Sequence, residues 1–553
     1  MIYWIKKFVD SCSLLVVSLR LPTKLTTNNY KLTTIFILNF SFFTCFAQEV
    51  GMGLDLDDAS YATVPLKKTE LKRSYTSMPQ KVDLRIYAPP VQDQGQTNTC
   101  TGWALGYAAC TIQEAAQKNI STTSTLEKIA TSPDFVYING KTADVKGCSA
   151  PMKTEEILKS ILRQDIPIPR KQEFNNYCAG TSALTTASRN GVKIKSYEKL
   201  FNLFDPWQRK IDEIKKVLAD NRPVIVGMRL FKSFKNVKDV WDGKDDGYMG
   251  SHALCIVGYD DNFLGGAFEM MNSWGTGWGD QGFAWVSYGT LQKTQSLHSA
   301  FSITLGSNPG EVDGGEEKVQ SGDVRVEKTP STFNSQVQSS NADKFVSNIY
   351  FKIVDDNSLM PTVLKSASRG LIVVKNDSNA QTAPAPKTNS ETVGSKSVES
   401  PNFLNFVSQK SYTSGTNYRA YIEVSHPTYL YVLGSDLSGG FGVLFPADAK
   451  MSDFLSTKNS AIALPDENSS IRLDDNVGKD FMYFIYSYKQ LDIATIVSEL
   501  NSKTGSSHQK IVNKFRSALN KSTPLEKSEN NMSFKSENTE DKFFIISLEI
   551  DHK

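Results

Sequence analysis

The sequence predicts an α+β protein whose helices come first and whose strands come later, followed by a further β-rich module. Three observations carry this. Apolar residues recur at helical spacing in segments between Cys100 and Leu218. From Arg222 onward, β-branched and apolar runs bounded by Pro, Gly and Asp take over. After Gly306 the chain turns polar and aperiodic, and beyond that stretch strand patterns return.

The segment from Cys100 to Gln117 lacks proline and places Trp103, Tyr107, Cys110 and Glu114 on one helical face, which predicts a mostly buried helix. Ser132-Pro133-Asp134-Phe135-Val136-Tyr137 opens a second helix. Thr154 to Gln164 is amphipathic through Ile157, Leu158, Ile161 and Leu162, and Asp212 to Leu218 repeats the pattern. Arg222-Pro223-Val224-Ile225-Val226-Gly227-Met228 begins the strands. Ala253 to Tyr259 and Ala267 to Met271 continue them, and Trp285 to Tyr288 is expected to extend the set.

These patterns divide the chain into a first domain over 81–306, a linker over 307–343 and a β-rich accessory domain over 344–553. In the last, strands are expected at Phe345 to Val354, Leu371 to Val374, Arg419 to Ser425, Tyr429 to Gly434, Phe441 to Pro446, Phe481 to Ser487 and Phe543 to Ile550. A helix is expected at Ile511 to Leu519. The stretch 376–400, with Ala-Pro-Ala-Pro and many Ser, Thr, Asn and Lys residues, reads as a disordered insert.

At the N-terminus, Lys24 and Lys31 precede an uncharged segment from Leu32 to Ala47, ending Cys45-Phe46-Ala47. That is the pattern of a signal peptide cleaved after Ala47, on top of a doubtful extension, and it is short for a bilayer span of about 20 residues. A retained anchor is the alternative. Residues 48–80 then form a short pre-domain segment, too short for a large inhibitory domain though long enough to thread a cleft.

The chemistry sits in three places. Cys100 stands where a turn of small and polar residues, Gln94 to Thr99, enters the long helix, and unpaired N–H groups at a helix start favour a thiolate. A histidine within reach accepts the thiol proton, and a third group holds its tautomer. His252, leading into one predicted strand, and Asn272, closing the next, fit those parts.

In this order Cys100, His252 and Asn272-Ser273-Trp274-Gly275-Thr276-Gly277-Trp278-Gly279 resemble the papain-like cysteine peptidases, from roughly Val82 to Leu305. The resemblance implies a two-lobed fold, a helical half and a β-rich half with the site between them. It implies that Gln94 donates to the oxyanion together with the N–H of Cys100, and that Trp274 and Trp278 shield the His252–Asn272 bond from water. It also implies a Cys148–Cys178 disulfide, two free thiols being the alternative, while Cys110 and Cys255 fall on apolar faces and read as core. His252 follows Cys100 by 152 residues, just beyond the usual span of roughly 130 to 150, which an insertion at Lys232 to Gly247 would explain. The chain departs from the family pattern at Thr101-Gly102, where Trp usually follows the nucleophile, and at Thr97, where Cys is common. The segments Tyr429 to Gly434, Leu444 to Pro446 and Ile462 to Pro465 resemble a domain of unknown function found beside bacterial peptidase domains.

Sixty-one basic residues against 59 acidic ones leave no field that would attract nucleic acid. His298, His426, His508 and His552 have no partners at metal-ligand spacing, so neither metal nor cofactor is expected. The expected activity is exported cysteine endopeptidase, with protein or peptide as substrate and the C-terminal module binding a cell-surface or protein partner. The alternatives are a surface binding protein on an idle scaffold, or a thiol acyltransferase.

Overall fold

The computed structural model of the chain describes residues 51–140, 148–174, 191–306, 344–365, 402–522, 525–528, 532–536 and 543–553. The expected signal peptide, the 307–343 linker, the 376–400 insert, the Leu371 to Val374 strand and Cys178 lie outside them.

Cys100 opens a helix that runs through Cys100–Gly102, a π-helical stretch Trp103–Cys110 and Thr111–Gln117. Every residue from Cys100 to Ala115 is buried, as expected of a helix that is apolar on nearly all sides. Around it pack the helix Pro133–Gly140 and the amphipathic helix Thr154–Gln164, which turns Ile157, Leu158 and Ile161 inward and ends on Asp165 in the left-handed conformation. Together they form the helical lobe. A further helix, Trp207–Ala219, is longer at its start than the expected 212–218 because Pro206 precedes it as N-cap and Ile211, Ile214, Val217 and Leu218 all face the core.

The β lobe is an eight-stranded sheet. Its strands are β1 (Lys81–Asp83), β2 (Ile194–Lys199), β3 (Val224–Phe231), β4 (Val240–Trp241), β5 (Tyr248–Asp260), β6 (Ala267–Met271), β7 (Phe283–Ser287) and β8 (Leu297–Leu305). The order is β2-β8-β3-β5-β6-β7-β4, with β1 on β5. Thus β5 lies at the centre, where Met228 faces His252 across the β3 pairing and Cys255 faces Met271 across the β6 pairing. Residues His252 to Tyr259 are all buried, which is why that stretch reads as a continuous apolar run rather than an alternation. Helical and β lobes share one apolar core.

One expectation for this lobe is corrected. Tyr288 does not extend a strand: β7 ends at Ser287, whose side chain accepts from the N–H of Thr290 and caps the helix Tyr288–Thr294. The charged stretch Lys232 to Gly247 is ordered. It folds into a short 3₁₀ turn and β4, burying Phe234 and Trp241 against the sheet.

The C-terminal module is a sandwich. A seven-stranded sheet orders Thr362–Leu364, Phe403–Tyr412, Phe543–His552, Gly478–Ser487, Thr428–Ser435 and Phe441–Phe445, with Phe454–Leu455 on Thr428–Ser435. A six-stranded sheet places Ser460–Leu464 at one edge of Asn417–Val424 and Phe345–Ile353 on its other side. Ile349, Phe351 and Ile422 of one sheet meet Leu430, Phe484 and Ile546 of the other in a common core. The second face of the larger sheet is covered by the helices Ile493–Asn501 and Ser507–Lys521, the latter extending beyond the expected 511–519.

Candidate active site

Cys100 is the first helical residue, behind Thr99, and is fully buried. Its sulfur faces the backbone N–H of Ala253, of Thr101 and of Cys100 itself. Ala253 directly follows His252, so the centre of the β lobe meets the start of the helix at the thiol.

His252 Nε2 lies 2.8 Å from Asn272 Oδ1. The N–H of Ser273 donates to the same Asn272 atom at 2.8 Å, and since a backbone N–H can only donate, that atom is the amide oxygen. Nε2 of His252 must therefore carry the proton, leaving Nδ1 as the basic nitrogen. Among the described residues Nδ1 is buried and makes no hydrogen bond. The Trp274 ring lies over the imidazole at 4.6 Å between centroids, and Trp278 meets Trp274 edge-on at 5.8 Å. Phe234 packs on both indoles and accepts the Trp278 Nε1–H at its carbonyl at 2.8 Å.

Gln94 is fixed by the same reasoning. Its Nε2 donates to the Thr97 carbonyl at 2.8 Å, while Ser273 Oγ donates to its Oε1 at 2.5 Å, and its own N–H donates to Ser273 O. Ser273 thus orients both Asn272 and Gln94. No charge or spacing in the sequence marks it; only its place beside Asn272 could have.

Over these groups lies the segment 51–56, the leader. Gly51 donates to Gly95 O at 3.0 Å and accepts from Trp274 Nε1 at 3.1 Å; Gln94 Nε2 reaches Met52 O at 3.4 Å. Leu54 donates to Ser251 O in the β lobe, and Asp55 and Met152 bond the leader to the helical lobe. Leu54 and Leu56 sit against Gly227. The close approach demands glycine: a Cβ on Gly51 would stand 2.0 Å from Thr97 O, and one on Gly53, at φ +114°, 2.3 Å from Asn98 O. Downstream, Asp57 pairs with Lys153, Asp58 with His298 Nε2 at 2.8 Å, and the buried Tyr61 hydroxyl donates to Phe201 O at 2.8 Å.

Beneath this cover burial holds the thiol and the imidazole each toward its neutral form. Burial pushes the Cys100 thiol up to about 12, against the pull of the surrounding N–H groups. Burial likewise pushes His252 down to about 4, with the Asn272 hydrogen bond opposing. Among the other predicted positions, Cys148 is disulfide-bonded, while Cys110 and Cys255 are buried free thiols.

Residues 78–303 match the model of the papain family cysteine proteases, and 411–490 match a domain of unknown function, DUF4384. Cysteine proteinase 3 of Entamoeba histolytica is 24% identical over 236 residues, 40% of this chain and 66% of that protein. Gamete and mating-type specific protein A of Dictyostelium discoideum is 25% identical over 206 residues, 36% of this chain and 41% of that one. The chain therefore spans about two thirds of the first relative and less than half of the second. Among solved structures, xylellain, a cysteine protease from Xylella fastidiosa, aligns at 26% identity with TM-score 0.34, covering 46% of this chain and 96% of that one. Recombinant stem bromelain precursor aligns at 17% identity with TM-score 0.36, over 47% and 85%. Over residues 78–303, then, this chain carries a domain that matches the papain family of cysteine proteases.

Proposed function

We propose that this chain is an exported cysteine endopeptidase held covered by its own leader. The observation that carries the reading is the hydrogen-bond chain Ser273 N–H to Asn272 Oδ1 to His252 Nε2, which leaves Nδ1 of a buried imidazole as the base beside the helix start of Cys100. With the leader displaced, His252 Nδ1 takes the Cys100 proton and the thiolate attacks the peptide carbonyl carbon. The oxyanion is held by Gln94 Nε2–H and the Cys100 N–H; removing one such donor typically costs about 100- to 1000-fold in turnover. The imidazolium gives its proton to the leaving amine, and a thioester remains. His252 then deprotonates water, which attacks the thioester; the acid leaves and the thiol is restored.

Substrates are proteins or peptides entering the groove that Met52 to Leu56 fill. Export rests on the sequence pattern of Lys24 to Ala47, and among the described residues no helix is long and apolar enough to cross a membrane. Cleavage of a random peptide library by the reduced protein tests the activity. Turnover is expected with the native chain after leader release and not with Cys100→Ala; equal cleavage by both, or none by either, would reject the reading.

A further inference from the structure

Downstream of the cleft the leader does not rest on the peptidase domain alone. Around Leu66 it runs as an extended strand between two partners. On one side Lys67 N donates to Lys199 O and Lys199 N to Pro65 O, both at 2.9 Å. On the other, Leu66 N donates to Lys450 O at 2.6 Å and Ser452 N to Leu66 O at 2.8 Å. Lys68 Nζ then donates to Pro465 O at 2.6 Å. Leu71 N donates to Ala461 O at 2.8 Å, on the strand Ser460–Leu464 at the edge of the six-stranded sheet, and the buried Leu71 side chain packs on Ala461, Ala463 and Tyr421. Arg73 pairs with Glu423.

Polar groups of the two domains pair with one another across the leader. Glu70 accepts from Thr457 of the module and pairs with Lys67 and Lys216, while Lys67 also pairs with Glu213 of the Trp207–Ala219 helix at 3.3 Å. Tyr75 donates to that same Glu213 at 2.6 Å. The module is itself seated on the peptidase domain: Arg222 donates to Ser456 at 3.2 Å and Tyr429 to Lys195 O at 3.2 Å.

We propose that the C-terminal module is a lock on the active site: by gripping residues 66–73 it keeps residues 51–56 across the Cys100 cleft. Only residues 57–65 separate the two stretches, and these are the capped helix Asp58–Thr63 with its buried Tyr61, not slack chain. A segment tethered so close to its site rebinds at high effective concentration, so the grip multiplies the hold of the cleft contacts. An extended peptide competing for the Ser460–Leu464 edge would be the natural key. The proposal rests on the peptidase reading only for what the lock controls.

Two leader-side variants of the full chain test it without altering either domain core. Leu71→Asp puts a charge into the Ala461–Ala463 seat, and Leu66→Pro removes the donor to Lys450 O while leaving the bonds to Lys199. Hydrogen exchange of the Leu54 and Asp55 amides should accelerate by about tenfold or more, the order expected for losing one buried leucine, with Ile225 to Leu230 and Phe481 to Tyr486 still protected. Unchanged protection at 54–55 in both variants, with 66–73 freed, would overturn the lock. Alkylation of Cys100 in the same samples reads the functional arm separately: a leader that opens over an inert Cys100 supports the lock and counts against the peptidase.

Discussion

The Nε2 atom of His252 lies 2.8 Å from Oδ1 of Asn272, and both residues are buried, the imidazole beneath Trp274. A bond that holds an imidazolium is charge-assisted, worth about 1.5–3 kcal/mol. Asn272→Ala should therefore lower turnover of the opened enzyme by about 10- to 100-fold. Steady-state kinetics check this, with circular dichroism confirming the fold.

Ser273 holds Gln94 through Oγ, so Ser273→Ala frees the amide to rotate without removing it. The expected loss in kcat is smaller than the roughly 100- to 1000-fold of Gln94→Ala. In the double variant the two losses should not add, since both act through one donor. A double-mutant cycle on kcat/KM measures this.

Much of this was legible in the sequence, for identifiable reasons. His252 to Tyr259 announces a central strand because both of its faces are buried, and Cys100 to Gln117 announces a buried helix because apolar residues surround it. β2 and β8 were not anticipated: Ile194 to Lys199 alternates with Lys, Ser and Glu, and in Leu297 to Leu305 buried His298, Ser299, Ser302 and Thr304 break the apolar run. Ser302 Oγ donates to Glu198 across that pair, a partnership between residues 104 apart that no local pattern carries. Phe234 was hidden in a charged stretch, and the leader's path depends on Gly51 and Gly53 meeting a turn more than 40 residues away.

Gly53 sits at φ +114° with the Asn98 backbone in the way of any side chain. Gly53→Val should therefore lift the leader. Alkylation of Cys100 should become about 5- to 150-fold faster, for a backbone and steric cost of the order of 1–3 kcal/mol. Stopped-flow or mass-resolved labelling measures it, and an unchanged rate would remove the leader from the account.

Closure should depend on pH at both ends. His252 is held near 4 under the leader against an ordinary 6.5, so closure gains from its neutral form above pH 6.5. The part of that gain supplied by the leader's cover is lost as pH falls from about 6.5 to 4. Burial raises Cys100 to about 12 in the closed form, so closure favours the neutral thiol and weakens as pH rises through the range where the opened thiol ionises. Exchange at Leu54 and Asp55, corrected for intrinsic rates, should rise at both extremes, and His252→Gln should flatten the acidic limb.

The most direct measurement is peptide mapping of the opened, reduced Gly53→Val protein after treatment with an irreversible epoxide specific for activated thiols. A single adduct at Cys100, its rate collapsing in His252→Ala while buried Cys110 and Cys255 stay unmodified, is the predicted result. A folded, opened protein whose Cys100 reacts no faster than an ordinary thiol, or equally fast without His252, would contradict the account.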